Sequence, residues 1–178
     1  MTRHSIYQGR VVDLGLETAL LPNGQRIELE IVRHPGGAAA LAVDIQQRIC
    51  VLRQYRHAAG GWLWELPAGK LDRGEAPLTT AQRELEEEAG IRAQHWQSLG
   101  TMFSTPGFCD EVIHLFVARH LTTVPLHQEA DEIIQVFWWT SQEVRTYLTQ
   151  GAVQDAKTLV ALYRWMETEG NIVFPDMP

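Results

Sequence analysis

Four glutamates crowd into five consecutive positions of this 178-residue chain, at Glu84, Glu86, Glu87 and Glu88. The run follows Pro77, which suits the first position of a helix, and stops at Gly90, which suits the left-handed residue just beyond a helix end. The glutamates therefore occupy the last turns, where the macrodipole is negative and like charges three or four apart repel, each at roughly a few tenths of a kcal/mol. Stability alone does not favour this arrangement, so it indicates chemistry.

The spacing of the glutamates decides which of them can act together. At about 100° per residue, Glu84, Glu87 and Glu88 share one stripe beside the apolar face of the helix, whereas Glu86 points toward solvent. Clustered carboxylate oxygens are the ligands that hard divalent cations prefer, and Mg²⁺ takes only a few of them from a protein. The stripe predicts a Mg²⁺ or Mn²⁺ site. The alternative is a solvated acidic helix face.

A longer pattern around the helix favours the metal site. Its fixed positions are Gly69, Glu75, Arg83, Glu84, Leu85, Glu87, Glu88, Gly90 and Ile91. They match in full the Nudix box, and a chance match in a chain of this length is on the order of one in ten million. The chain therefore resembles the Nudix hydrolases, and the resemblance extends over nearly all of it.

The resemblance implies a fold, a reaction and a set of metal ligands. The expected fold is of the α+β class, an α/β/α sandwich with a mixed sheet, and the expected reaction is metal-dependent cleavage of a nucleoside diphosphate linked to another group. The implied ligands are Glu84, Glu87, Glu88 and the carbonyl of Ala68. Arg83 is expected to orient the glutamates, so that Arg83 and Glu87 count among the catalytic residues.

Two further segments look like the ADP-ribose pyrophosphatase branch of the family. They are RQYRHAAGGWLWELPAGK and TPGFCDE, and the second places Pro106 fifteen residues after Ile91. This likeness implies that Arg56 contacts phosphate and that Glu65 contacts the nucleoside end. It also implies that Glu111 lines the site.

The same likeness gives Pro106 and Gly107 a role in substrate binding. The alternative is that these two residues form an ordinary turn. Leu29 stands where relatives often carry a basic residue, which leaves the nucleoside contacts open.

The general base is expected outside the box. Carboxylates committed to a metal are poor proton acceptors, whereas a free one near the hydrated ion can take the proton. The resemblance places this role on a loop after the box, where Glu129, Asp131 and Glu132 stand. We favour Glu129 for its mobility, followed by Glu132 at the edge of a strand. The alternative is that all three merely solvate the loop.

Three functions are consistent with these residues. The first is hydrolysis of ADP-ribose to AMP and ribose 5-phosphate. The second is hydrolysis of another nucleotide sugar, such as GDP-mannose, or of a dinucleotide. The third is a ligand-sensing Nudix domain without catalysis, but such domains usually lose box glutamates and this chain keeps all of them.

The elements around the box predict three regions. Residues 1–37 are expected to form an antiparallel hairpin around an Asn-Gly turn, because two strand-like runs flank it. Residues 38–170 form the Nudix domain, in which AAALAVDI and RICVLRQY have the apolar character of central sheet strands. A capping box at Thr140 and a start near Asp155 predict two helices. Residues 171–178 are expected to be a loose tail.

Composition and charge limit the kinds of molecule that the protein can be expected to bind. The net charge of -7 argues against a nucleic-acid surface, and no apolar run approaches the roughly 20 residues of a membrane span. The first ten residues lack the apolar core of a signal peptide, so we expect a cytoplasmic protein. Because related pyrophosphatases pair through their N-terminal strands, the resemblance also implies a homodimer.

Overall fold

A computed structural model describes residues 2–128 and 132–168, so the predicted tail at 171–178 lies outside the described residues. The strands are β1 (Thr2–Gln8), β2 (Asp13–Leu20), β3 (Arg26–Arg33), β4 (Gly37–Ala42), β5 (Ile49–Arg56), β6 (Gly61–Glu65), β7 (Ala68–Lys70), β8 (Ile91–Phe103), β9 (Val112–Thr123) and β10 (Ile134–Trp139). The helices are α1 (Pro77–Ala89), α2 (Ser141–Thr149) and α3 (Ala156–Thr168). Among the described residues no helix is both long and apolar enough to cross a membrane.

The N-terminal region is a sheet of three strands in the order β1-β2-β3. The hairpin predicted around the Asn-Gly turn is present as β2 and β3, with Gly24 in the left-handed region at φ 84°. The additional strand β1 pairs antiparallel with β2, and every residue of β1 is exposed. An exposed, mostly polar strand carries no alternating apolar signal, so the hairpin prediction missed it.

The two apolar runs before the box are central strands, but of different sheets. Strand β4 lies in the mixed sheet β7-β4-β9-β8, parallel to β9 and antiparallel to β7. Strand β5 is the middle strand of the antiparallel sheet β10-β5-β6. A turn from Asp44 to Arg48 separates them, and an isolated bridge joins Val43 to Ile49. The sequence pattern predicted one sheet because both runs are apolar on both faces.

Strand β4 separates the two helical layers. Its residues alternate between two apolar clusters, one beside α1 and the other beside α2 and α3. Three alanines, Ala38, Ala40 and Ala42, face α1. Small side chains at these positions leave α1 room to approach the sheet closely. The α/β/α sandwich and the mixed sheet predicted from the resemblance are confirmed.

The helix that carries the glutamates begins and ends as predicted. Pro77 is its first residue, and Gly90 follows it at φ 64°. The segment after β9 then covers the C-terminal end of α1: the backbone N–H of His127 donates to the carbonyl of Glu87 at 3.2 Å, and the side-chain amide of Gln128 donates to the carbonyl of Glu88 at 3.0 Å. The capping box of α2, between Thr140 and Glu143, is also present.

Candidate active site

The three glutamates of the predicted stripe lie on the side of α1 that meets β7. Glu88 is 2% exposed and Glu84 is 9% exposed, whereas Glu87 is more open. The backbone N–H of Ala68 donates to Glu88 Oε2 at 2.8 Å, so β7 and the helix are joined at this carboxylate. The fourth glutamate, Glu86, lies elsewhere and pairs with Arg92.

Arg83 connects the carboxylates of the box. Its Nη1 donates to Glu84 Oε1 at 2.7 Å and to Glu87 Oε2 at 3.0 Å. Its Nε and Nη2 donate to Glu75 at 3.3 and 3.2 Å, and Nη2 also reaches the carbonyl of Lys70. The hydrogen bond from Arg83 is the main reason that the pKa of Glu75 is lowered to about 2. Arg83 therefore contacts two glutamates of the stripe, Glu84 and Glu87, as well as Glu75.

Burial disfavours the ionised form of the two buried glutamates, Glu84 and Glu88. Burial is the main cause that raises the pKa of Glu88, to about 8, and repulsion from Glu84 and Glu132 adds to it against the opposing bond from Ala68. Burial also raises the pKa of Glu84, against the influence of Arg83. Desolvation and like charges both favour the neutral acid. The cluster thus has more negative charge than the surrounding protein balances.

This donor set fits a small, hard cation. Carboxylate oxygens of Glu84, Glu87 and Glu88 are the ligand type that Mg²⁺ and Mn²⁺ prefer, and a bound cation would relieve the repulsion that raises the pKa of Glu88. Gly69 has no side chain at the point where the Glu84 carboxylate approaches β7. Within residues 2–128 and 132–168, no three acidic, histidine or cysteine side chains already converge at coordination distance. Arg83 bridges Glu84 and Glu87 in this arrangement.

Two cavities meet at strand β7. The larger, about 460 Å³, is lined by Val11, His34, Gly37, Ala38, Arg56, Ala68, Gly69, Lys70, Ser104, Glu111, Ile113, Glu132, Asp155, Ala156 and Lys157. The smaller, about 260 Å³, is lined by Ala68, Gly69, Lys70, Asp72, Arg83, Glu84, Glu87 and Glu132. They share all of β7 and Glu132, so the larger cavity adjoins the space beside the carboxylates of α1.

Arg56 and Glu65 form a bidentate ion pair beneath the larger cavity. Arg56 Nε and Nη2 donate to the two carboxylate oxygens of Glu65 at 2.8 and 2.9 Å. Glu65 is 1% exposed, and its Oε2 also accepts a 2.6 Å hydrogen bond from Lys157. Burial by itself raises the pKa of Glu65, but Arg56 and Lys157 outweigh it and lower the pKa to about 2. Arg56 lines the cavity, whereas Glu65 lies behind it.

The remaining predicted residues fall into three groups: those that line the cavities at β7, those that do not, and one outside the described residues. Glu111 lines the larger cavity, 3.3 Å from His34 Nδ1, and Glu132 lines both cavities. Pro106 and Gly107 line neither of these cavities, and Pro106 instead faces a separate one beside the N-terminal sheet. Glu129 lies outside the described residues, as does Asp131.

Sequence reasoning missed two charged residues at the start of α3. Asp155 and Lys157 line the larger cavity, and Lys157 joins Glu65 across 92 positions of the chain. Aspartate is a preferred residue type at a helix N-cap, but the predicted helix start near Asp155 gave neither side chain a role in the site. His34 and Ser104 of the same cavity carry no comparable signal.

Comparisons with known proteins show which family the chain belongs to. Residues 33–163 match the NUDIX domain family. The methanol dehydrogenase activator of Bacillus methanolicus is 40% identical over 159 residues, which cover 88% of this chain and 86% of that protein. The ADP-ribose pyrophosphatase of Bacillus subtilis strain 168 is 38% identical over 164 residues, which cover 91% and 89%. A solved ADP compounds hydrolase superposes with a TM-score of 0.81 at 21% identity, covering 97% of this chain and 95% of that one, and shares the fold.

The chain therefore belongs to the Nudix family. Its predicted resemblance to the ADP-ribose pyrophosphatase branch is confirmed by its similarity to a member of that branch, and the chain is a Nudix pyrophosphohydrolase.

Proposed function

We propose that this enzyme hydrolyses the pyrophosphate bond of ADP-ribose to give AMP and ribose 5-phosphate. The supporting observation is the continuity of the two cavities at β7, because a diphosphate bound near Arg56 lies within reach of the α1 carboxylates. The relative from Bacillus subtilis bears the name of this activity. A cavity of about 460 Å³ is also within the range of sites for molecules of nucleotide-sugar size.

In this proposal the site works with Mg²⁺ or Mn²⁺, held by Glu84, Glu87, Glu88 and the carbonyl of Ala68. The chemistry that such a cation supplies is neutralisation of the diphosphate charge and activation of a water nucleophile. Arg83 keeps Glu84 and Glu87 in place from the side of Glu75. The fit is supported by two buried carboxylates whose pKa values are raised mainly by burial, which a bound cation would oppose.

The remaining residues have roles in binding and proton transfer. Arg56 binds a phosphate oxygen from the larger cavity, and Glu111 lines the same cavity. The attacking water loses its proton to a carboxylate of the loop before β10. Glu132 is supported by its position at both cavities, and Glu129 remains a candidate from the sequence. Pro106 and Gly107 remain predicted substrate contacts.

A panel of substrates tests the proposal. Purified protein is incubated with ADP-ribose, GDP-mannose and a dinucleotide, each with Mg²⁺, Mn²⁺ or EDTA, and the products are identified by mass. We expect AMP and ribose 5-phosphate from ADP-ribose with either metal and no turnover in EDTA. Preference for another compound would transfer the proposal to that substrate. Binding of ADP-ribose without turnover of any compound would favour a ligand-sensing domain.

The proposal includes a cytoplasmic homodimer that pairs through the N-terminal sheet. The outer strand β1 has no second neighbour among the described strands, and Ile6 and Tyr7 on it are exposed. An open strand edge with apolar side chains is a template for pairing with another chain.

A further inference from the structure

Asp155, just before α3, holds two different parts of the site at once. Its Oδ1 accepts a hydrogen bond from Lys157 Nζ at 3.0 Å. Its Oδ2 accepts from the backbone N–H of Thr158 at 3.0 Å and from the hydroxyl of Thr158 at 2.6 Å. One carboxylate therefore fixes both Lys157 and the first turn of α3.

The first branch runs through Lys157 to Arg56. The Lys157 ammonium lies 2.6 Å from Glu65 Oε2, and the two oxygens of Glu65 in turn hold Arg56. Burial alone lowers the pKa of Lys157, but Asp155 and Glu65 outweigh it and raise the pKa, so the side chain stays charged. The pairing uses Nε and Nη2 of Arg56 and leaves Nη1 without a hydrogen bond to any described residue.

The second branch runs through Thr158 to α1, the helix that carries the glutamates. The hydroxyl of Thr158 accepts a 2.9 Å hydrogen bond from the backbone N–H of Leu66. Leu66 precedes Ala68 by two residues, and the N–H of Ala68 holds Glu88. The end of β6 and the start of β7 are thus attached to α3 on one side and to α1 on the other.

We propose that Lys157 is a positioning residue for substrate binding, which acts by fixing Glu65 so that Arg56 presents its Nη1 edge to a phosphate in the larger cavity. A planar guanidinium binds phosphate with directional hydrogen bonds, so its orientation decides its contribution. Without Lys157, the buried Glu65 has one cationic partner instead of two and no second anchor for its carboxylate. This inference rests on the proposed function, because it concerns the phosphate that Arg56 binds.

The experiment is a double-mutant cycle between Lys157→Met and Arg56→Gln, with KM and kcat measured for ADP-ribose. Lys157→Met is expected to raise KM by roughly tenfold to a hundredfold, the scale of a misplaced binding group, while kcat changes by less than about threefold. In the Arg56→Gln background the same substitution is expected to have almost no further effect, because the group that Lys157 positions is already gone.

Lys70 provides a matched control, since it is a lysine that lines both cavities without an ion pair to any described residue. Lys70→Met is expected to act independently of Arg56→Gln. Independent, multiplicative effects of Lys157→Met and Arg56→Gln would overturn the inference, because they would mean that Lys157 contacts the substrate itself. An unchanged KM in Lys157→Met would overturn it as well.

Two further measurements are planned. One applies if Lys157→Met does not fold, and the other applies if the wild type does not hydrolyse ADP-ribose. Glu65→Gln interrupts the same connection without removing a buried cation, and its effect on KM is expected to be non-additive with Arg56→Gln. Failure of wild type on ADP-ribose counts against the proposed function, and the cycle then uses the compound from the panel that is hydrolysed. If none is, a crystal structure of Lys157→Met decides: Arg56 displaced from Glu65 supports the inference, and an unchanged ion pair overturns it.

Discussion

The carboxylate of Glu84 lies directly against the α-carbon of Gly69, so that a Cβ atom built at Gly69 would overlap its Oε1 and Cδ atoms. The backbone of Gly69 is not in the left-handed region, so any residue could adopt its conformation. Close approach of a carboxylate is therefore the physical reason for glycine at this first position of the box.

We expect Gly69→Ala to displace Glu84 and to lower kcat/KM by at least about a hundredfold, as misplacement of a catalytic group typically does. The matched control is Gly61→Ala, since Gly61 is a strand glycine with open space around its Cβ position and no left-handed backbone. Gly61→Ala should leave activity nearly unchanged. Activity assays and thermal denaturation of both variants check the prediction, and full activity of Gly69→Ala would contradict it.

Glu88→Gln should lose most turnover without losing the fold. The change removes one anionic ligand, which we expect to lower kcat by at least about a hundredfold at fixed Mg²⁺. Above about pH 8, where the Glu88 carboxylate is ionised in the metal-free protein, it also removes a charge from a repulsive, buried cluster, so the melting temperature measured there without metal should stay level or rise slightly. The control on the same helix is Glu86→Gln, because Glu86 pairs with Arg92 and lines neither of the two cavities at β7. Equal activity of the two variants would refute the assignment of the metal ligands.

The positions of these glutamates on α1 could be predicted because the residues that determine them are close in the sequence. Pro77 and Gly90 set the bounds of α1, and helical periodicity set the face of each carboxylate. The distribution of β4 and β5 over two sheets could not be predicted, because a strand that is apolar on both faces carries no mark of its neighbours.

The environment of Glu65 could not be predicted from the sequence, for a different reason. Its partner Lys157 lies 92 positions away, on a helix whose docking depends on the whole sandwich. From the sequence alone, a glutamate that pairs with a distant lysine cannot be distinguished from a glutamate that contacts the substrate. The family likeness therefore placed Glu65 near the site, but it did not predict that Glu65 is buried behind the residues that line the cavity.

Without metal, the protein should lose stability as the pH rises from about 5 to 8. Burial, with repulsion from Glu84 and Glu132, raises the pKa of Glu88 from 4.5 to about 8 in the folded state. Between these values the folded chain binds a proton that the unfolded chain does not, so the free energy of unfolding falls with rising pH. At about 1.4 kcal/mol per pKa unit, the loss is on the order of 2–4 kcal/mol.

Urea unfolding in EDTA at several pH values checks this pH dependence. The Glu88→Gln variant carries no titrating group at this position, so its stability should fall less over the same range. Subtracting the two curves removes the contribution of all other groups. Parallel curves would show that Glu88 is ionised in the metal-free protein at neutral pH.

The homodimer should depend on the outer strand of the N-terminal sheet. Light scattering at micromolar concentration is expected to give twice the mass of the 20.2 kDa chain. Ile6→Lys places a charge on the exposed strand β1 and should shift the protein toward monomer. Thr149→Lys, at an exposed position of α2, is the control and should leave the mass unchanged. A wild-type monomer would contradict the prediction.

Glu132 and Glu129 can be separated as general bases by kinetics. Glu132 lines both cavities, and its charge contributes to the raised pKa values of Glu84 and Glu88, so its carboxylate lies near both the larger cavity and the α1 carboxylates. The segment before residue 129 is attached to the C-terminal end of α1 through His127 and Gln128.

The deciding measurement is kcat for Glu129→Gln and Glu132→Gln separately, at saturating Mg²⁺ and across pH. Loss of about a hundredfold or more in one variant, with KM little changed, identifies the base, since general-base catalysis contributes about 10²–10⁴. That variant should also lose the acidic limb of the pH–rate profile, because no carboxylate remains to be deprotonated at that position. Near wild-type rates in both would assign proton acceptance to the glutamates of α1, where Glu88, with the raised pKa that burial gives it, is then the residue to test.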